Sequence, residues 1–483
     1  MNRHRSGSPS YILLLATVSL GAILAPLNST MLAVALPEIR DDFSVGHAEI
    51  GWLVSAYLIA MAVAQPMGGR LGDQLGRARV FRMGLVAFFV LSLATAFAPS
   101  FPILILMRTG QALVGAAVIP NGMAMLRESV PAARFGRATG LTGSAISISA
   151  AVGPLLGAGL LAAGSWRLLF LMNAPLVAVA LLAQALLSYP EKNARLKLDI
   201  DWLGAAVFAA LLLSVTLLLN SLRGGQDAYI LGAGILGLLV FSTLFLQRQF
   251  YTSTPIAEWK LFRSRSYTAA TAYLLFSNLV MYTTLLAIPF FIKEVQHKGS
   301  ATTGTLLGAM SILMAVVAPL SGRLSDTWGR RQPVLAGGLV LVAGAVLLLV
   351  GLDRGVSYGY LAVSLAVLGL GVGLSTGPAG AAAIEAAPRH MAGTAAGTNS
   401  MMRYLGSIVG AGILGAVLSS DTGVPGVSLF RLIFAVLVAM AALACASAVF
   451  VHRFPPETTA LSAQPLPADP TALGIARSSR AES

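Results

Sequence analysis

Two arginines, Arg108 and Arg403, lie inside otherwise apolar stretches of this chain. An arginine at the centre of a membrane-crossing helix costs about 2.5–3.5 kcal/mol on insertion scales, so such a charge needs a partner or a ligand. The same stretches carry Asn28, Tyr57, Gln111, Asn121, Asn278, Tyr282 and Asn399. Each could hydrogen-bond a polar ligand or a neighbouring helix. The chemistry these residue types support is recognition. The acids are arranged in the opposite way: all 19 Asp and Glu fall in loops, tails or the ends of apolar runs, with Glu49 and Glu385 nearest to the interior. His4, His47, His297, His390 and His452 sit in loops or at ends, with no Ser–His–acid arrangement and no metal-ligand spacing. No catalytic residue, metal or cofactor is therefore expected. None of the five lysines follows a glycine, so no GK[ST] phosphate loop exists and ATP is not hydrolysed within this chain. Cys445 is the only cysteine, which rules out an internal disulfide.

The elements that must position these residues follow from composition. Of 483 residues, 56% are hydrophobic and 11% charged, with a mean hydropathy of +0.80. Soluble domains carry about 25% charged residues, so this chain must use lipid as its solvent. Apolar runs long enough to span a bilayer occur at 11–33, 50–69, 80–98, 102–124, 138–162, 167–188, 202–220, 229–247, 268–292, 303–321, 333–351, 357–378, 394–418 and 428–450. That makes 14 spans. With the N-terminus in the cytoplasm, 23 Lys and Arg fall on the cytoplasmic side and 7 on the other. The asymmetry fits the positive-inside rule and places both termini in the cytoplasm. It also accounts for the net charge of +13 without a nucleic-acid partner.

The chain repeats itself. Residues 50–78 align without gaps on 303–331 at an offset of 253, with 14 of 29 positions identical. The same offset pairs GPLLGAGLL (153–161) with GSIVGAGIL (406–414). It carries the second span onto the tenth and the fifth onto the thirteenth, an even shift, so both copies keep one orientation. Such parallel repeats build transporters whose site lies near mid-membrane between the halves. The expected organisation is a cytoplasmic N-terminus (1–10), a six-helix half (11–188), two inserted helices with flanking loops (189–267), a second six-helix half (268–452) and a disordered cytoplasmic tail (453–483).

GRLGDQLGR (69–77) and GRLSDTWGRR (322–331) resemble the cytoplasmic loop signature of the major facilitator superfamily. LNSTMLAVALP (27–37), the fourth-span residues Arg108, Gln111 and Gly115, GPLLGAG (153–159), SWRLLFLMNAP (165–175), DWLG (201–204) and PIAEWKLFRSR (255–265) are similar to landmarks of its 14-helix drug:proton antiporters, the EmrB/QacA type. The resemblance implies an all-α polytopic protein with the major facilitator fold, in a bacterial inner membrane. It implies efflux of drug-like or amphipathic molecules by alternating access, coupled to proton influx. Gly69, Asp73, Gly76 and Arg77, with Gly322, Asp326, Gly329 and Arg330, would form a conformational latch, each Asp meeting a helix N-terminus across the halves. Gly153, Pro154 and Gly157 would form the antiporter-type motif, with glycines for close helix contact and a proline to bend the span. Substrate or coupling contacts would come from Asn28, Tyr57, Arg108, Gln111, Asn278, Tyr282, Asn399 and Arg403. Many relatives carry Asp at the position of Asn28, and an amide exchanges no proton. Coupling would then fall to Glu49, Glu385 or a loop acid. The alternative is a dedicated exporter of one neutral or anionic metabolite, without proton coupling through the first span. The expected partners are a small-molecule substrate, lipid and protons, for a chain acting as a monomer.

Overall fold

The computed structural model describes residues 11–130, 132–187, 189, 201–221, 228–252, 259–388, 391–418 and 426–453. The N-terminal segment Met1–Ser10, the loop 190–200 and the tail beyond Arg453 lie outside the described residues. Arg453, placed in the tail by sequence, accepts a hydrogen bond on its carbonyl from the Arg330 amide at 2.7 Å.

The described chain is all helical. The first half contains α1 (Tyr11–Phe43), α2 (His47–Leu75), α3 (Arg77–Ala96), α4 (Phe101–Gly115), α5 (Val118–Ser129), α6 (Ala132–Ala162), α7 (Arg167–Leu171) and α8 (Asn173–Ala185). The inserted pair is α9 (Trp202–Ser221) and α10 (Ala228–Tyr251). The second half contains α11 (Arg265–Phe290), α12 (Ser300–Trp328), α13 (Arg331–Gly351), α14 (Tyr358–Glu385), α15 (Ala392–Leu418) and α16 (Val427–Ala448). Thirteen helical stretches among the described residues are long and apolar enough to cross a membrane, and α6 adds the shorter Ile148–Ala162.

Two of the expected spans are broken in two. The fourth is divided between α4 and α5 at Ala116–Ala117, and the sixth between α7 and α8 at Met172. Pro120 and Pro175 follow these breaks. A proline clashes with the carbonyl four residues before it, here Ala116 and Leu171, and cannot donate the helical bond. α11 ends in a π turn, Phe291–Val295, which aims Lys293 and Glu294 away from a regular helical course.

We call the side where α1 begins the near face and the other the far face. The halves meet along two seams, α6 on α12 and α2 on α15, equivalent under the repeat. α9 packs on both α2 and α15 and so covers one seam, while α10 packs on α9. Only 6% of the α10 apolar window is buried, which suits a helix bathed in lipid. Close contacts of the α6–α12 seam lie toward the far face. A Cβ at Gly304 would sit 3.0 Å from the Pro154 carbonyl oxygen, and one at Gly308 would sit 2.8 Å from the Leu155 side chain.

Candidate functional site

Arg108 on α4 is 1% exposed. Its Nη1 donates to Asn28 Oδ1 on α1 and, at 2.7 Å, to Gln111 Oε1 one turn along its own helix. Gln111 Nε2 in turn donates to Ser92 Oγ on α3 at 2.6 Å, which fixes the amide with its oxygen toward the arginine. The guanidinium lies 4.0 Å from the centroid of the Tyr57 ring on α2, and Phe170 on α7 stands at 5.7 Å. Five elements therefore hold one cation. Its hydrogen-bond partners are neutral, and no described carboxylate forms an ion pair with it.

The magnitudes show why this arrangement points to a ligand. Burying an ion costs several kcal/mol, which is repaid only by good geometry and full hydrogen bonding. A desolvated cation–π contact contributes about 2 kcal/mol or more, and a hydrogen bond to a charged group about 1.5–3 kcal/mol. The site meets much of the cost, yet Arg108 Nε, Asn28 Nδ2 and the Tyr57 hydroxyl, all buried, have no protein partner. Two N–H groups and a phenol are thus available beside a fixed positive charge and aromatic surfaces. A molecule with polar acceptors or a negative group on an apolar frame fits that chemistry.

The neighbouring residue Ser29 shares a hydrogen bond of 2.7 Å with the hydroxyl of Tyr282 on α11. This bond joins the halves next to the arginine cluster and brings Tyr282 to the site. Asn278, Asn399 and Arg403 lie elsewhere, along the contact of α11 with α15. Asn278 Nδ2 donates to the Arg403 carbonyl at 2.7 Å and also to Ser407 Oγ. Asn399 Oδ1 accepts from Thr271 Oγ1 at 2.7 Å. Both asparagines serve helix–helix contact here. The Arg403 side chain is exposed and forms no ion pair among the described residues.

The loop motifs are built alike. Gly76 and Gly329 have φ of 96° and 84°, a region that favours glycine, and this explains why the repeat keeps both. Asp73 contacts Arg77, which also holds Glu128 at 2.9 Å. Asp326 lies 2.8 Å from Arg330, whose second partner is Glu385 at 2.7 Å. Glu385 outweighs burial and holds the Arg330 guanidinium above its ordinary value. Both aspartates are more than half exposed, and their described partners lie in their own half. The close helix approach comes from Gly68 and Gly72, against Ala117 and Asn121, whereas Gly69 meets only Pro120 at 3.7 Å and Gly322 meets nothing within 4 Å.

In the fifth-span motif, Gly153 and Gly157 face α1: a Cβ at Gly157 would lie 2.9 Å from the Met31 carbonyl oxygen. Pro154 and Ala158 instead face Gly304 on α12. The motif thus occupies the corner where α1, α6 and the other half meet. Glu49 accepts from the Gly46 amide at 2.8 Å and caps α2 at its far-face end. A more buried acid is Glu294, whose side chain is 8% exposed against 25% for Glu385.

The profile of the Major Facilitator Superfamily matches residues 18–411. The chain is similar to the "uncharacterized MFS-type transporter YvkA" of Bacillus subtilis, at 34% identity over 88% of this chain and 93% of that one. It is 32% identical to the "multidrug resistance protein Stp" of Mycobacterium tuberculosis, over 85% and 76%. It is 26% identical to the "tetracenomycin C resistance and export protein" of Streptomyces glaucescens, over 85% and 76%. Among solved structures, a D-xylose–proton symporter superposes with a TM-score of 0.65 at 14% identity, over 93% of this chain and 99% of that one. The inward-open xylose transporter XylE of E. coli gives 0.62 at 13%, over 92% and 97%.

Proposed function

The chain belongs to the Major Facilitator Superfamily, and from that premise we propose that it is a secondary active exporter of drug-like or amphipathic small molecules. The observation that carries the reading is Arg108, a buried cation with neutral partners, set beside the Ser29–Tyr282 bond that joins the halves. A site at the contact of two halves changes shape when the halves rock, which is what alternating access requires. The names of Stp and of the tetracenomycin exporter support export of bulky compounds.

In this mechanism the near face is cytoplasmic. A substrate enters between the halves, places an acceptor near Arg108 and Asn28, and lays an apolar surface on Tyr57 and Phe170. It also competes with Ser29 for the Tyr282 hydroxyl, weakening a bond between the halves. Rocking then closes the near face, where Asp73 and Asp326 exchange partners within their halves for contacts across them. Proton exchange, where it occurs, uses a group other than Asn28.

A dedicated exporter of one anionic compound is the second reading, favoured because, among the described residues, the hydrogen-bond partners of Arg108 are neutral and no acid pairs with it. Reconstituted vesicles offered cationic, neutral and anionic compounds, with the movement of each compound measured directly and an internal pH dye recording any proton exchange, separate the two. Movement of several chemically different compounds supports the exporter of amphipathic molecules. Movement of a single anion favours the dedicated exporter, and movement of none of the panel refutes both.

A further inference from the structure

The offset of 253 extends to residues outside the shared motifs. It maps Ser29 onto Tyr282, Arg40 onto Lys293 and Asp41 onto Glu294. The structure brings these counterparts together. Arg40 Nη1 on α1 contacts Glu294 Oε1, and Lys293 Nζ lies 2.7 Å from Asp41 Oδ2. Each half's cation meets the other half's acid. Such reciprocity, i to j and j to i, marks a contact across a two-fold axis, and Ser29 bonding its own counterpart Tyr282 lies on that axis too. The two contacts are 11 residues apart on α1, about 16 Å at 1.5 Å per residue. The upper one is at the far face.

The surroundings of the four charges are those of a plug. Arg40 lies 5.8 Å from the Phe290 ring centroid, and the His47 ring centroid is 5.6 Å from it. His47 Nε2 is 2.5 Å from Arg40 Nη1 and 2.6 Å from Glu294 Oε1. A neutral ring accepts from the arginine and a protonated one donates to the acid, so His47 stays engaged either way. Beneath lies a cavity lined by Leu36, Ile50, Val54, Leu286 and Leu414, drawn from both halves. The π turn Phe291–Val295 presents Lys293 and Glu294 to α1. Two reciprocal ion pairs thus cap an apolar interior, on the face opposite the loop motifs.

The geometry points to Arg40–Glu294 and Lys293–Asp41 as the far-face gate, a two-fold clasp that must break for the site to open on that side. The inference rests on the alternating-access reading. Its size fits the role. Partly buried pairs hold a closed state, yet opposite charges that reach water on opening regain hydration. The fifth-span motif contributes apolar packing between the halves on this side, at Pro154 and Ala158 against Gly304, and the clasp adds two ion pairs across them.

The single native cysteine makes a direct test possible. In a Cys445→Ala background, Val54→Cys places a thiol in the cavity, at a residue 4% exposed in this state. Its labelling by a membrane-impermeant thiol reagent, applied from the far side of vesicles of one orientation, reports gate opening. Glu294→Gln is expected to raise the labelling rate at least about tenfold, and Asp41→Asn, which removes the other limb, gives the same direction. The charge swap Arg40→Glu with Glu294→Arg returns the rate to that of the parent. An unchanged rate in both single variants overturns the clasp, as does a swap that stays fast. Labelling needs no substrate, so a protein that moves none of the compounds tried still reports its gate.

Discussion

Asn28→Asp places a carboxylate where Arg108 now finds an amide oxygen, within hydrogen-bond separation of Nη1. An isolated Asp in the centre of a spanning helix costs about 3 kcal/mol on insertion scales. Beside Arg108 it would gain about 5 kcal/mol of attraction at an effective dielectric near 20 and a separation near 3 Å. The net expected effect is stabilisation by about 2 kcal/mol, from a substitution that by hydropathy alone should destabilise. In an Arg108→Gln background the attraction is absent, and the same substitution should cost about 3 kcal/mol. The assay is a double-mutant cycle on the purified protein, with unfolding free energies measured in mixed micelles. A coupling of several kcal/mol in the favourable sense is expected. If Asn28→Asp costs the same with and without Arg108, the arginine is not the unpaired cation described here. The new acid should also shift preference from anionic toward cationic compounds, because it takes the place of the substrate's acceptor.

Two further outcomes follow from local geometry. A Cβ at Gly157 meets the Met31 carbonyl oxygen at 2.9 Å, whereas Gly159 has nothing within 4 Å; Gly157→Ala should therefore cost about 1–3 kcal/mol of stability and Gly159→Ala little, as thermal unfolding in detergent will show. At the start of α9, Asp201 accepts from the Gly204 amide at 2.8 Å and from Arg248 at 2.9 Å. Burial works to raise its carboxyl, but Arg248 and the amide outweigh it and hold it below the usual carboxylate range. The stabilising contribution is thus complete above the unfolded value of about 3.9 and is lost as pH falls through the lower folded one. Hydrogen exchange at Gly204 should show no pH-dependent loosening between about pH 7 and 5 beyond intrinsic chemistry, and Asp201→Ala should speed it roughly fivefold, the loss of about 1 kcal/mol of capping.

The spans and the repeat were legible because both leave strong linear signals: long apolar runs, and Gly–Asp–Gly–Arg spacing used twice. The gathering of Asn28, Tyr57, Arg108 and Gln111 was also within reach, since charge and amides in apolar runs are costly unless they meet. The contacts across the halves were not. Ser29 and Tyr282 share a repeat position and a hydroxyl but differ in size and shape, and Arg40, Asp41, Lys293 and Glu294 read as ordinary loop charges. Pairing of residues some 250 positions apart depends on how the halves dock, and no local pattern encodes that. The burial of Glu294, whose side chain is 8% exposed against 25% for Glu385, has no linear signal either, because it lies just beyond the apolar run of α11, in the π turn Phe291–Val295. The breaks at Ala116–Ala117 and Met172 precede Pro120 and Pro175, but Pro26, Pro66, Pro154 and Pro319 stand inside continuous helices, so a proline alone does not mark a break.

The central claim is that a small molecule crosses between the halves at Arg108. The most direct measurement is the initial rate of transport of any one moved compound in vesicles holding the parent, Arg108→Gln or Tyr282→Phe, with equal amounts of folded protein. Loss of at least about tenfold with Arg108→Gln, and a smaller, measurable change with Tyr282→Phe, is the expected result. Rates unchanged in both would place the path elsewhere and contradict the account.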